Sequence, residues 1–315
     1  MRRWTTRVLV GLCSLIGVTA LTGAAYQSVA TRRDLAVTPP PGQLVDIGGY
    51  RLHLWCTGNG APGVILDTGL GGSSAGWGFV QPDVARFTRV CSYDRAGMGY
   101  SDPGRSPRTA RRIASELATL LDRGGIDGPV VLVGASIAGF NVRVFASDHP
   151  ERAAGLVLID ASHEADAHEV PPMARFVPLL STAGVLRLFG VSFGQSVESL
   201  PPSVRRYAQA TRFRTAGYQA AADEILHIRE TLSEVRSSRR KLTIPVVVVT
   251  GARGADDHWQ RLQRDLASLS ERGCLVVAQR SGHVVPIDQP EVVVDAIRTV
   301  VETARGHGSA RACPP

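Results

Sequence analysis

The run Pro129-Val-Val-Leu-Val-Gly-Ala-Ser-Ile-Ala-Gly-Phe140 carries the reading of the whole chain. Its apolar part stops at Gly134, a serine follows at 136, and small residues return at 138 and 139. A buried strand that turns abruptly into a helix, lifting one hydroxyl into the open, has this pattern. Small neighbours are needed because such an elbow presses backbone against backbone, where a branched side chain does not fit. Ser136 is then a candidate nucleophile, and the Ile137 N–H at the helix start is a candidate donor to an oxyanion. The segment by itself fits an ordinary strand–turn–helix connection equally well, so its surroundings have to discriminate.

On either side of it, strands and helices alternate. Upstream, Val45–Thr57 reads as a hairpin turning at Gly48-Gly49. A short strand at 63–67, a helix at 77–87, a strand at 88–94 and an amphipathic helix at 108–123 follow. Downstream come a helix at 137–148 and strands at 154–159, 245–250 and 274–279, with helices at 258–271 and 289–304. The expectation is an α/β fold with a mostly parallel central sheet of about eight strands and helices on both faces.

Residues 163–241 break this rhythm, reading as helices joined by Pro171-Pro172, Pro178 and Pro201-Pro202 without a strand. A helical insertion there would cover the crevice at the carboxyl ends of the strands, where open α/β sheets bind ligands. The expected organisation is a signal peptide or membrane anchor over 1–30, core over 31–162, a helical cap over 163–241, core again over 242–305, and a flexible tail over 306–315. Residues 31–43 read as an unstructured connector ending in Pro39-Pro-Pro-Gly42.

With 315 residues, 44% of them hydrophobic, the chain can fill one large core. Its net charge of +7 comes almost entirely from arginines dispersed along the sequence, Lys241 being the only lysine. They form no stripe interleaved with aromatics, so no nucleic-acid partner is expected. No Cys/His spacing fits a zinc site, and no metal or other cofactor is expected.

The amino terminus, Met-Arg-Arg-Trp-Thr-Thr-Arg, precedes the uncharged stretch Val8–Ala25. That pairing is either an export signal or a single membrane anchor, with small residues at 22–25 suiting a signal peptidase. Both readings place the remainder outside the cytoplasmic membrane, attached to it or secreted. In such a compartment Cys56 and Cys91, on two predicted strands, could form a disulfide bond; the alternative is two separately buried thiols.

A serine needs a base before it is a nucleophile. Of the eight histidines, His283 has the best context, on the loop Gln279-Arg-Ser-Gly-His-Val just past the last strand and at the sheet edge where Ser136 emerges. His149 ends the helix after the elbow, His53 lies in an early strand, and His163 and His168 begin the insertion.

The order Ser136, acid, His283 resembles the α/β-hydrolase superfamily, specifically a capped serine esterase or lipase-like member. The motifs are Thr68-Gly-Leu-Gly-Gly72, Asp94-Arg-Ala-Gly-Met-Gly-Tyr-Ser101, the elbow Gly134-Ala-Ser-Ile-Ala-Gly139, Ser281-Gly-His283 and Asp288-Gln-Pro-Glu291, covering roughly 43–305. The elbow has Ala138 where glycine is usual, and Thr68 stands where the family often has histidine.

The resemblance implies a second oxyanion donor, the Leu70 N–H, and an acid following the strand before the last. On that loop Asp256 and Asp257 are the candidates, with Asp257 slightly favoured. Asp160, at the end of the strand after the elbow strand, is the rival, and Asp94 is expected to brace its own loop. What this implies is a carboxylic ester hydrolase with a Ser-His-Asp catalytic triad, working by acyl transfer on a small lipophilic ester or amide substrate. The alternatives are a serine peptidase or amidase of the same fold, and a non-catalytic binding protein on the same scaffold. A serine at 136 argues against epoxide hydrolysis, for which the family uses aspartate.

Overall fold

The Val- and Leu-rich runs pair into an eight-stranded sheet in a computed structural model that describes residues 2–167, 169–194 and 196–307. In chain order the elements are α1 (Arg2–Val37), β1 (Gln43–Asp46), β2 (Arg51–Thr57), β3 (Gly63–Asp67), α2 (Gln81–Val84), β4 (Val90–Tyr93) and α3 (Ala110–Arg123). Next are β5 (Val130–Ala135), α4 (Ala138–Asp148) and β6 (Ala153–Ile159). The insertion then holds α5 (Val177–Thr182), α6 (Val185–Leu188), α7 (Pro202–Thr211), α8 (Thr215–Leu226) and α9 (Ile228–Ser238). The chain returns to the sheet with β7 (Val246–Gly251), α10 (Asp257–Ala267), β8 (Gly273–Ala278), α11 (Val285–Asp288) and α12 (Pro290–Ala304).

The strand order is β1-β2-β4-β3-β5-β6-β7-β8, with β1, β2 and β4 paired antiparallel and all further pairs parallel. Strict alternation along the central strands divides the core in two. Val130, Leu132, Leu156, Leu158, Val246 and Val248 face a cluster that includes Leu117, Phe140 and Leu266 of α3, α4 and α10. Val131, Val133, Val157, Ile159, Val247 and Val249 face Val84 of α2 and Ile297 of α12. A strand buried on both faces reads as a continuous apolar run for this reason. Each fully buried valine or leucine contributes about 1.5–3 kcal/mol, so the centre of the sheet is the rigid part of the molecule.

The sheet also fixes where chemistry can occur. From β3 the chain proceeds to β4 on one side, while β5 lies on the other. Loops leaving the carboxyl ends of β3 and β5 therefore diverge, opening the crevice typical of such a switch point. Ala135 pairs with Ile159, so the residues that follow them, Ser136 and Asp160, leave adjacent strands at one level.

Two expectations need correction. Residues 31–37 are not an unstructured connector but the last turns of α1. They are held because Arg187 of α6 donates to Gln27, Thr31 and Asp34 on one face of the helix. The helix expected over 77–87 is shorter: a 3₁₀ turn at Ser74–Trp77 precedes α2, which Pro82 enters at its first turn. Cys56 and Cys91 face each other across β2 and β4 and are joined by a disulfide. Cys313, His168 and most of the expected tail lie outside the described residues.

Candidate active site

Ser136 sits directly after β5 with φ of 55°, in the left-handed region that non-glycine residues rarely adopt. The turn is so tight that a Cβ on Gly134 would lie 2.7 Å from the Ala138 carbonyl oxygen, and one on Gly139 2.6 Å from the Ala161 methyl. Those two glycines are therefore sterically required, whereas Ala138 is accommodated, fully buried, where the family often has glycine. The elbow is stitched to its neighbour by hydrogen bonds from the Ser136 N–H to the Ile159 carbonyl and from the Ser162 N–H to the Ser136 carbonyl, both 3.0 Å.

His283 comes from the loop between β8 and α11, whose Gly282 N–H is held by the Asp288 carboxylate at 3.1 Å. Its Nε2 lies 3.0 Å from the Ser136 hydroxyl and its Nδ1 lies 2.6 Å from Asp160 Oδ2. Asp160 has φ of 41°; with Ser136 it is the only non-glycine residue at positive φ among the described residues. Such backbone costs on the order of 1–3 kcal/mol per residue and gathers at functional sites.

The other Asp160 oxygen accepts from the Thr250 hydroxyl (2.7 Å), the Gly251 N–H (3.1 Å) and the Trp259 indole (3.0 Å). Burial pushes the Asp160 carboxyl upward, but hydrogen bonds from His283, Trp259 and Thr250 outweigh it and leave the group below the ordinary carboxylate value. An ionised carboxylate only accepts, so Nδ1 of His283 carries the proton and the Nε2 lone pair receives the serine O–H.

The carboxylate beside His283 is thus Asp160, and neither Asp256 nor Asp257. Asp256 caps α10, its Oδ1 accepting from the Trp259 N–H at 2.7 Å, and Asp257 is the first residue of that helix. Helix starts draw Asp into just this place, because a carboxylate there satisfies a free N–H. Trp259 is a site residue that the sequence reading missed: capped by Asp256 through its backbone, it reaches Asp160 with its ring.

The loop 68–72 passes against the elbow, so close that a Cβ on Gly69 would lie 3.2 Å from Ser136 Cβ. Among the described residues no oxygen of the chain accepts from the Leu70 or Ile137 N–H. The loop is braced from below by buried Arg95, which donates to the carbonyls of Thr68 and Gly69 and to Asp67. Arg95 also pairs with Glu224 of α8 at 2.9 Å, tying the insertion to this loop. Asp94 accepts from the Ser74 and Tyr100 N–H groups, which braces the 94–101 loop as expected.

One hollow meets the site and a second lies beyond the 68–72 loop. One, of about 360 Å³, opens in front of Asp160, Trp259 and His283. The other, about 60 Å³, lies between the 71–76 loop and Phe193, Arg212, Arg214 and Tyr218 of the insertion. Among the described residues no cluster of His, Cys, Asp and Glu is suited to a metal ion.

Comparison with known proteins agrees with this architecture. The chain is 25% identical over 281 residues to an AB hydrolase superfamily protein of Gibberella zeae, covering 78% of this chain and 87% of that one. It is 36% identical over 129 residues, 38% of its length, to a probable transporter, efuK, of Hormonema carpetanum, but spans only 18% of that longer protein. Among solved structures, a thermophilic esterase from Thermogutta terrifontis superposes with a TM-score of 0.63 at 24% identity, covering 82% of this chain and 95% of the other. A sequence profile of the Alpha/beta hydrolase family matches residues 64–296. The chain belongs to the α/β-hydrolase family.

Proposed function

We propose that the protein is a serine hydrolase that cleaves a carboxylic ester through an acyl-serine intermediate. The observation that carries this reading is the unbroken line of hydrogen bonds from the Ser136 hydroxyl through His283 to Asp160. In it His283 takes the Ser136 proton as Oγ attacks the ester carbonyl, and Asp160 steadies the imidazolium that forms. The oxyanion is received by the Leu70 and Ile137 amides, whose N–H groups donate to no oxygen of the chain among the described residues. The imidazolium then protonates the leaving alcohol. His283, half exposed to the 360 Å³ hollow, next activates the water that releases the acid.

An ester is favoured over a peptide with a free amino terminus because Glu164, the buried one of the insertion's carboxylates Glu164, Asp166 and Glu169, is already engaged. Glu164 is bound by Arg143 and Arg239 at 2.7–2.9 Å. Burial pushes its carboxyl up, yet the Arg143 pairing prevails and holds it well below the ordinary range. The thermophilic esterase of similar fold fits the same reading.

The same reading takes α1 as a retained membrane anchor. The helix is continuous over 36 residues, nothing in its apolar window is buried, and its last turns are bonded to the insertion. Turnover of p-nitrophenyl acyl esters against aminoacyl anilides tests the proposal. Ester hydrolysis that disappears in S136A is expected; anilide hydrolysis exceeding ester hydrolysis would replace it with an amidase.

A further inference from the structure

Outside α1, seven of the nine large apolar side chains exposed among the described residues fall between Met173 and Phe193 of the insertion. Leu188 and Phe189 are the most open, at 76% and 75%, with Leu179 at 66% and Met173 and Phe176 also exposed. A soluble surface seldom concentrates its apolar residues in this way without a partner.

The position of this stretch relative to α1 identifies the partner. The turn between α5 and α6 rests on α1 at residue 23: a Cβ on Gly23 would strike the Ala183 carbonyl, and Gly184 lies against the Gly23 carbonyl and Gln27. Gly23 is also near the end of the uncharged apolar stretch Val8–Ala25. Those 18 residues make a helix of about 27 Å, close to the ~30 Å hydrocarbon core of a bilayer. The α5–α6 turn is thereby set at the edge of the apolar span. Leu179 precedes Ala183 by four residues and Phe189 follows Gly184 by five, so each lies within about 8 Å of that level along its helix. Interfacial apolar faces sink about 5–10 Å. Exposed Arg32 and Arg33 near the base of α1, and Arg175 beside Phe176, add cationic groups suited to lipid phosphates.

We propose that the Met173–Phe189 face of the insertion is seated in the interface of the same lipid bilayer that α1 crosses. The proposal rests on the reading of α1 as a retained anchor. Its consequence for the site runs along the chain. Four residues after Phe189, Phe193 packs edge-on against Tyr218 and presses its Cβ on Gly71, lining the hollow beside the 71–76 loop. A face seated in this way would present the site to esters partitioned into the membrane, which is the substrate class the proposal assigns.

The test uses the full chain reconstituted in phosphatidylcholine/phosphatidylglycerol vesicles. Trp4 of α1 is replaced by Phe to remove its signal, and F189W is added. Brominated acyl chains should quench the added tryptophan relative to W4F alone, and the protein should resist extraction by alkaline carbonate. Resistance without quenching would overturn the seated face while leaving the anchor intact; if crosslinking then gave a dimer through Phe189, a second copy would be the occupant. Release by carbonate would remove the anchor reading and the proposal with it.

A second measurement reads function. L188S/F189S should lower hydrolysis of a long-chain ester carried in vesicles by on the order of tenfold, with turnover of a short water-soluble ester unchanged. Equal loss on both substrates would contradict the proposal. Quenching in a chain without esterase activity would uphold the surface and reject the ester reading instead.

Discussion

At the carboxyl edge of the sheet, Ser136, His283 and Asp160 are linked in series, each side chain bonded to the next. Ser74, His53 and Asp94 are the same three residue types, gathered between β2, β4 and the turn before α2, and they are bonded differently. His53 Nδ1 meets Asp94 at 2.8 Å, but its Nε2 faces the Pro41 carbonyl, and the Ser74 hydroxyl donates to Asp94 rather than to the imidazole nitrogen opposite it. The side chains of His53 and Asp94 are wholly buried, whereas that of His283 is 55% exposed. Ser136 and Asp160 carry left-handed backbone, and no residue of the buried cluster does. Residue types alone do not make a site. What separates the two clusters is an opening to solvent, an acceptor nitrogen aimed at a hydroxyl, and a strained turn holding the hydroxyl out.

The two clusters should respond most differently to the removal of each acid. In the proposed triad D160N should cost on the order of 10⁴-fold in kcat, the scale seen when a triad acid is lost. D256A should cost about 1 kcal/mol of stability through the lost helix cap and leave kcat nearly unchanged, and D257A should do less. Steady-state kinetics with thermal melts separate these, and collapse of D256A or D257A with a normal D160N would return the acid to the α10 loop.

In the buried cluster the loss should fall on folding. D94N should lower unfolding free energy by about 3–5 kcal/mol, as when one partner of a buried ion pair is removed, while folded protein keeps its kcat. Urea titration and low-temperature kinetics test this, and a kcat collapse in well-folded D94N would give the cluster a catalytic part. Burial opposes charge on both groups. It is outweighed at His53 by the Asp94 charge, which leaves the imidazole raised above 6.5, and at Asp94 by His53, which leaves the carboxyl at about 2. The His53 contribution is therefore complete below pH 6.5 and is lost as pH rises through its raised value; that of Asp94 is present above pH 3.8 and fades as pH falls toward 2. The stability gap between wild type and H53Q should accordingly narrow on the alkaline side.

The smallest effect belongs to Trp259. W259F removes one of three donors to Asp160 Oδ1 and should reduce kcat by about tenfold or less, the worth of one hydrogen bond. An unchanged kcat would make the indole a bystander.

The sequence is a good guide wherever a feature is local. The elbow and the His283 loop can be read from a few consecutive residues, as can the double-faced strands, whose apolar runs need no partner to be recognised. The proposed acid cannot be read that way. Its place depends on which strand end lies beside the His283 loop, and two aspartates after β7 matched the commoner arrangement while one of them was serving as a helix cap. The available signal for Asp160 was an aspartate, a residue tolerant of left-handed backbone, ending a wholly apolar strand that neighbours the elbow strand. Trp259 and the Arg95 brace act across 99 and 129 residues of sequence, a distance at which no motif is legible.

Ser136 and Ser74 should differ in reactivity, and a fluorophosphonate probe measures that difference directly. Labelling of folded protein followed by peptide mapping should place the phosphonyl group on Ser136, with Ser74 unmodified, and S136A should remain unlabelled. Folded wild-type protein that takes no label, or takes it on Ser74, would show that Ser136 is not the nucleophile.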